Sequence, residues 1–284
     1  MEIEGIAALD LDNHTAMHSE AVQTLPREGE ILLGFYARTL VERAEKLKAI
    51  SNTVVADACF SKKEFAHSLS ESGLDLVSRF RDDVRLQYLI EPVKTGKRGR
   101  PCTSGGAVDV KKPDRDHFQK VMRQDNSIQI YTAVVKAVAM KRTVRVIVVN
   151  YVENRKPTTK IYFSTNCRLN AMEILDIYQT RFQIEFLYRD VKQHTALNHC
   201  QALSKNKQHF HFNISLTAVN VAKAVHWYSI PKKQREEFSM RDIKVMNHNA
   251  LLLDRFMAMV ALRPNILKNN RNVKELILYG TKCA

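Results

Sequence analysis

The chain has 284 residues and a mass of 32.6 kDa, with 45% hydrophobic and 26% charged residues, a balance that excludes wholesale disorder and suits one large domain or two small ones. Only 9 glycines and 7 prolines are present, which excludes a fibrous or low-complexity chain. Lys and Arg number 44 against 30 Asp and Glu, a net charge of +14 and a pI near 9.6, and that surplus suits a polyanionic partner because each cation that neutralises a phosphate releases a condensed counterion.

The first residues carry no basic region followed by an apolar core, so they do not read as a signal peptide. No stretch approaches about eighteen uninterrupted apolar residues, which argues against a membrane span. Residues 3–24 read as a β-hairpin whose turn uses the Asp and Asn of 10–14. Residues 29–49 place Leu33, Tyr36, Leu40, Ala44 and Leu47 at steps of three or four, the pattern of an amphipathic helix. A short strand over 53–56 ends at Asp57, a helix over 62–71 stops at Gly73, and a second strand covers 74–80. This strand–helix–strand rhythm predicts a parallel pair in an α/β core.

Residues 91–127 break the rhythm. They read as a basic loop carrying Lys94, Lys97, Arg98, Arg100, Lys111 and Lys112 among glycines. Residues 128–164 are rich in β-branched and aromatic types and predict three antiparallel strands. One long helix is expected over 170–194 with Asn170 as its N-cap, and the chain from 210 onward reads as mostly helical. Cys59, Cys102, Cys167, Cys200 and Cys283 are scattered without a C-x-x-C pair, so neither a disulfide framework nor a thiolate zinc site is expected.

Four residues of the expected long helix form a Y-x2-R-x3-E-x6-K array: Tyr178, Arg181, Glu185 and Lys192. At about 100° per residue they share a stripe roughly 60° wide. A carboxylate suited to a divalent cation beside two phosphate-gripping cations and a tyrosine fits phosphate chemistry. An exposed face with i,i+4 pairs such as Arg181–Glu185 gives the same stripe.

The array and its surroundings, residues 178–189, resemble the signature of bacterial insertion-sequence transposases with a DDE catalytic site. So does the segment 54–62, where the family places its second catalytic aspartate after a strand. The resemblance implies an RNase H-like core over 1–90, a basic loop and β-rich insertion over 91–165, the catalytic helix and end of the core over 166–228, and a helical C-terminal region over 229–284. It implies that Asp57 and Glu185 are catalytic acids binding Mg²⁺ or Mn²⁺, and that Tyr178, Arg181 and Lys192 hold DNA. The implied activity is DNA cleavage and strand transfer at transposon ends, on double-stranded DNA, by two copies paired in a synaptic complex in the bacterial cytoplasm at the nucleoid. The family's first acid lies on a strand upstream of the hairpin, so the resemblance implies an N-terminally truncated chain. An inactive remnant that only binds DNA, and a nuclease without strand transfer, are the competing readings. Asp10 and Asp12 read as turn residues, and the expected structure has either a gap beside 53–56 or the hairpin closed onto it. Arg98-Gly99-Arg100-Pro101 weakly resembles an AT-hook core, and a basic loop touching phosphates is the preferred reading of Lys97, Arg98 and Arg100. His194, His199, His209 and His211 read as helix-packing residues rather than a zinc site.

Overall fold

The structure, a computed structural model, describes residues 2–90, 104–121, 128–151, 158–228, 230–235, 238–260 and 270–282. The chain divides into two compact units, one of Thr24–Phe182 and one that joins Met1–Gln23 to Gln183–Ala284.

The first unit is a mixed sheet with helices. Strands β3 (Thr53–Val55) and β4 (Asp75–Phe80) form the expected parallel pair, linked by the helix α3 (Lys63–Glu71). Gly73 follows α3 at φ +74°, the left-handed turn that an L side chain resists. Next to β4 comes an antiparallel group of β10 (Thr158–Ser164), β9 (Arg142–Tyr151) and β8 (Ile128–Ala137). These are the three expected strands, and they continue the same sheet. Residues expected to be loop include two short strands, β6 (Ser104–Ala107) and β7 (Gln119–Val121). β7 and β5 (Leu86–Leu89) both pair along the outer edge of β8, and β6 pairs with β5. Tertiary pairing satisfies backbone groups there that local propensity would leave to solvent.

The helix expected over 29–49 is two helices, α1 (Leu32–Val41) and α2 (Ala44–Lys48). At the break, the Arg43 guanidinium donates to Thr39 O at 3.2 Å while the Arg43 N–H turns to Leu40 O. The side chain thus takes the carbonyl that the next helical turn would have used. α1 contacts α3, and α3 lies against β4.

The helix α4 (Ala171–Thr180) begins at the predicted cap, with Asn170 Oδ1 accepting from Met172 N at 2.9 Å. Its apolar stripe, Ala171, Ile174, Leu175 and Ile177, is buried with Val77, Ile130, Ile147, Val149 and Tyr162 from the sheet. Strand alternation puts Phe80 and Phe163 on the other face, where they stack 3.9 Å apart.

The long helix expected over 170–194 is interrupted. α4 ends at Thr180, and α5 (Gln183–His194) starts after a two-residue turn in which Phe182 N bonds to Gln179 O instead of continuing the ladder. Each half buries its stripe in a separate core: α4 on the sheet, α5 through Leu187 and Val191 in the second unit. One straight helix would have to serve both.

In the second unit, β1 (Ile3–Asp10) and β2 (Thr15–Gln23) are the expected hairpin, with a bulge between Ile6 and Ala7. They form a two-stranded sheet of their own, and among the described residues β3 pairs with β4 alone. No strand pairing joins the hairpin to 53–56 among the described residues. Asp10 Oδ1 accepts from Asp12 N and Asn13 N, so Asp10 is a turn residue as expected. Against the hairpin lie α5 and α6 (Lys205–Tyr228); α7 (Met240–Met259) contacts both helices, and α8 (Arg271–Leu278) contacts α7. Gly5 on β1 makes room for Tyr188 of α5, since a Cβ there would sit 1.7 Å from Tyr188 Oη and force that side chain to shift. Two asparagines of α6 hold the outer edge of β2. Asn220 accepts from His18 N at 2.8 Å and donates to His18 O at 2.7 Å, while Asn213 bonds Ala21 N and O at 2.9 and 3.0 Å.

Candidate active site

Asp57 stands where β3 ends. Ala56 N still pairs with Val77 O at 3.0 Å, and Ser78 Oγ donates to Asp57 O at 3.0 Å, so the backbone is anchored to β4 on both sides of the turn. Asp57 caps the 3₁₀ turn Ala58–Phe60, its Oδ1 accepting from Ala58 N at 2.8 Å. The side chain is exposed, and among the described residues its Oδ2 accepts no hydrogen bond. One oxygen is therefore used for capping and the other is open to a ligand.

Tyr178, on the last turn of α4, donates its hydroxyl to Asp57 Oδ1 at 3.3 Å. Its ring lies 4.9 Å from that of Tyr162, and the Arg181 guanidinium sits 5.5 Å from the ring centre. Burial pushes the Tyr178 hydroxyl up, with the Asp57 charge adding to it and the charges of Arg181 and Arg79 opposing. It stays a neutral donor at physiological pH. Arg181 is the C-cap residue of α4, and its Nε is sealed from solvent with no acceptor among the described residues.

Glu185 and Lys192 lie seven residues apart on α5, on one exposed face opposite the buried Leu187 and Val191. Glu185 occupies the first turn and Lys192 the last, each at the end of the helix dipole that favours its charge. The helix break therefore splits the Y-x2-R-x3-E-x6-K array: Tyr178 and Arg181 belong to one unit, Glu185 and Lys192 to the other. Neither the single stripe nor the Arg181–Glu185 helical pair is set by one continuous helix.

Sequence reading passes over Arg79. The signal for it is a lone cation inside the otherwise uncharged run 76–80 of a strand. Arg79 pairs in register with Tyr162, and its Nε too is sealed without an acceptor among the described residues. Lys97, Arg98 and Arg100 lie outside the described residues. The histidines do not converge: His209 Nε2 bonds to Ala21 O, and His211 Nε2 lies within bonding distance of Ala196 O and Leu197 O. Among the described residues no group of three or more His, Cys, Asp or Glu gathers as a metal site. The donor type does fit a hard divalent ion, since Asp57 offers an unbonded, exposed carboxylate oxygen. A cleft of about 460 Å³ beside Ala37, Val41, Phe65 and Ser68 contains none of these groups.

A family model described as a transposase DDE domain matches residues 35–221, well over half of the chain, and the chain belongs to that family. The matched span includes Asp57, Tyr178, Arg181, Glu185 and Lys192. No curated protein matches the sequence. Membership makes the protein a transposase that acts in DNA recombination and belongs to a class of enzymes using divalent metal ions. No helix among the described residues is long and apolar enough to cross a membrane.

Proposed function

We propose that the protein cleaves the ends of an insertion sequence and joins them to target DNA, on an RNase H-like core, with Asp57 and Glu185 as metal-binding acids. The observation that carries this reading is the exposed, strand-delivered Asp57, with one oxygen fixed by Ala58 N–H and Tyr178 O–H and the other unbonded. Mg²⁺ or Mn²⁺ bound through these carboxylates would supply Lewis-acid activation of the scissile phosphate and its nucleophile.

The chain's own residues do the positioning. Tyr178 donates to Asp57 and thereby keeps the carboxylate aimed. Arg181, held over the Tyr178 ring, and Lys192, extended from α5, bind backbone phosphates, and Lys97, Arg98 and Arg100 add contacts along the duplex. Two copies paired at two transposon ends form the working complex, in the bacterial cytoplasm at the nucleoid.

The test is nicking of a supercoiled plasmid that carries the element's ends, with Mg²⁺ or Mn²⁺. Asp57→Asn and Glu185→Gln are each expected to lower the rate by roughly 100-fold or more, the scale of removing one charge-stabilising group from a catalytic site. Both should still bind DNA. In a separate readout, Mn²⁺ binding followed by electron paramagnetic resonance should weaken in each variant. A nicking rate that survives both substitutions would reject the acid assignment.

A further inference from the structure

We infer that the outer face of α6 is an interface between two copies of this chain, the two α6 helices packing antiparallel about a twofold axis. The inference goes beyond the catalytic reading above, since this association requires neither DNA nor metal.

α6 is apolar on both sides. Its inner face buries Leu216, Val219 and Trp227. Its outer face carries Phe210, Ile214, Thr217, Val221, Ala224 and Tyr228, all exposed, at steps of four, three, four, three and four. That is the spacing of a coiled-coil seam. From Gln208 to Tyr228 the only Lys, Arg, Asp or Glu is Lys223, which is buried against β2. A helix that is apolar all round is normally buried all round. Among the described residues no element covers the outer face, where Phe210, Ile214, Val221, Val225 and Tyr228 are 50% to 94% exposed. Covering those five side chains would remove on the order of 600 Å² from each copy, at the top of the range of apolar patch that monomers leave open. Two copies together reach the roughly 1,200 Å² at which specific stable interfaces begin.

The seam fits a second copy of itself. In an antiparallel pair, Phe210 of one copy lies opposite Tyr228 of the other, Ile214 opposite Ala224, and Thr217 opposite Val221. Every layer then occurs twice, as a twofold interface requires. The two aromatic residues close the ends, while Thr217, Ala218 and Ala224 are small enough to let the helices approach at the centre. No layer brings like charges together. Lys205 and Lys207 stand at the N-terminal end of α6, so antiparallel packing puts the two cationic ends at opposite ends of a seam about 27 Å long. Parallel packing would set them side by side. The charge of +14 on each copy opposes association at long range. Salt screens that repulsion and leaves the apolar contact intact, so the dimer should hold or tighten as salt rises.

The test is analytical ultracentrifugation of the full chain, without DNA, over a concentration series at low and high salt. The parent is expected to reach twice the 32.6 kDa mass of one chain. Val221→Glu sets two carboxylates near the twofold axis and should raise the dimer Kd by roughly 100-fold or more. Cross-linking reads the direction of packing. A mixture of Ile214→Cys and Ala224→Cys chains should form a disulfide-linked dimer under copper phenanthroline, above the background of the parent's own cysteines. Ile214→Cys alone should not. If circular dichroism shows Val221→Glu unfolded, the cross-link decides alone, and its absence from the mixture overturns the interface. A parent that stays monomeric leaves the face to some other occupant and overturns the inference, as do aggregates without a defined mass. A dimer that a folded Val221→Glu leaves intact overturns the assignment to α6, and cross-linking of Ile214→Cys alone overturns the antiparallel packing. None of these outcomes bears on plasmid nicking, which tests the catalytic reading separately.

Discussion

Lys223 shows how far a single side chain can be pushed by its surroundings. It is 3% exposed, and its Nζ donates to Thr15 Oγ1 and Ala16 O at 2.8 Å each. Burial pushes the ammonium down from 10.5 to about 8, with the charge of Asp190 opposing. The unfolded lysine holds a proton that the folded one gives up between those two values. Unfolding free energy therefore rises with pH across that window, and the contribution is flat below it. Lys223→Met removes the titration. Denaturant melts at pH 7 and near pH 10.5 should show the parent gaining about 3 kcal/mol relative to the variant. Equal pH responses would mean that the folded lysine keeps its ordinary proton affinity. The hydrophobic pattern around position 223 marks a helix and nothing more, since the partners of Lys223 come from residues some two hundred positions away.

Among the elements, local signals fared best where one residue sets the backbone. Asn170 caps α4 and Gly73 ends α3 because their side-chain oxygen and left-handed φ act within a few residues. The break between α4 and α5 has no such marker, because Arg181-Phe182-Gln183 contains neither proline nor glycine. It follows from two separate cores claiming the two halves. The asparagines of α6 are equally silent in the sequence. Two turns apart, they bond both backbone groups of His18 and of Ala21, so the outer edge of β2 offers fewer free groups to a passing strand. Asn220→Ala leaves His18 N–H and C=O without these partners and is expected to cost about 1–3 kcal/mol. Hydrogen exchange in peptides spanning 15–23 should speed up in that variant. Unchanged protection would mean that another group takes over the edge.

For the whole molecule, charge and its distribution bear most directly on function. Most of the positive surplus falls in residues 24–182, the unit that carries Asp57, Tyr178 and Arg181. Binding to transposon-end DNA should weaken steeply with salt, and Arg181→Ala with Lys192→Ala should flatten the dependence by about two, one for each phosphate contact. An unchanged slope would remove both from the interface. The sequence by itself determined the hairpin, the parallel pair, the three antiparallel strands and the transposase family, because periodicity, caps and the Y-x2-R-x3-E-x6-K spacing are properties of neighbouring residues. Only the tertiary structure decided that the array is split between two units, that Tyr178 reaches Asp57, and that the Nε atoms of Arg79 and Arg181 are enclosed without an acceptor among the described residues. Those facts depend on which strands pair and which cores bury each helix face, and such contacts link positions far apart in the chain.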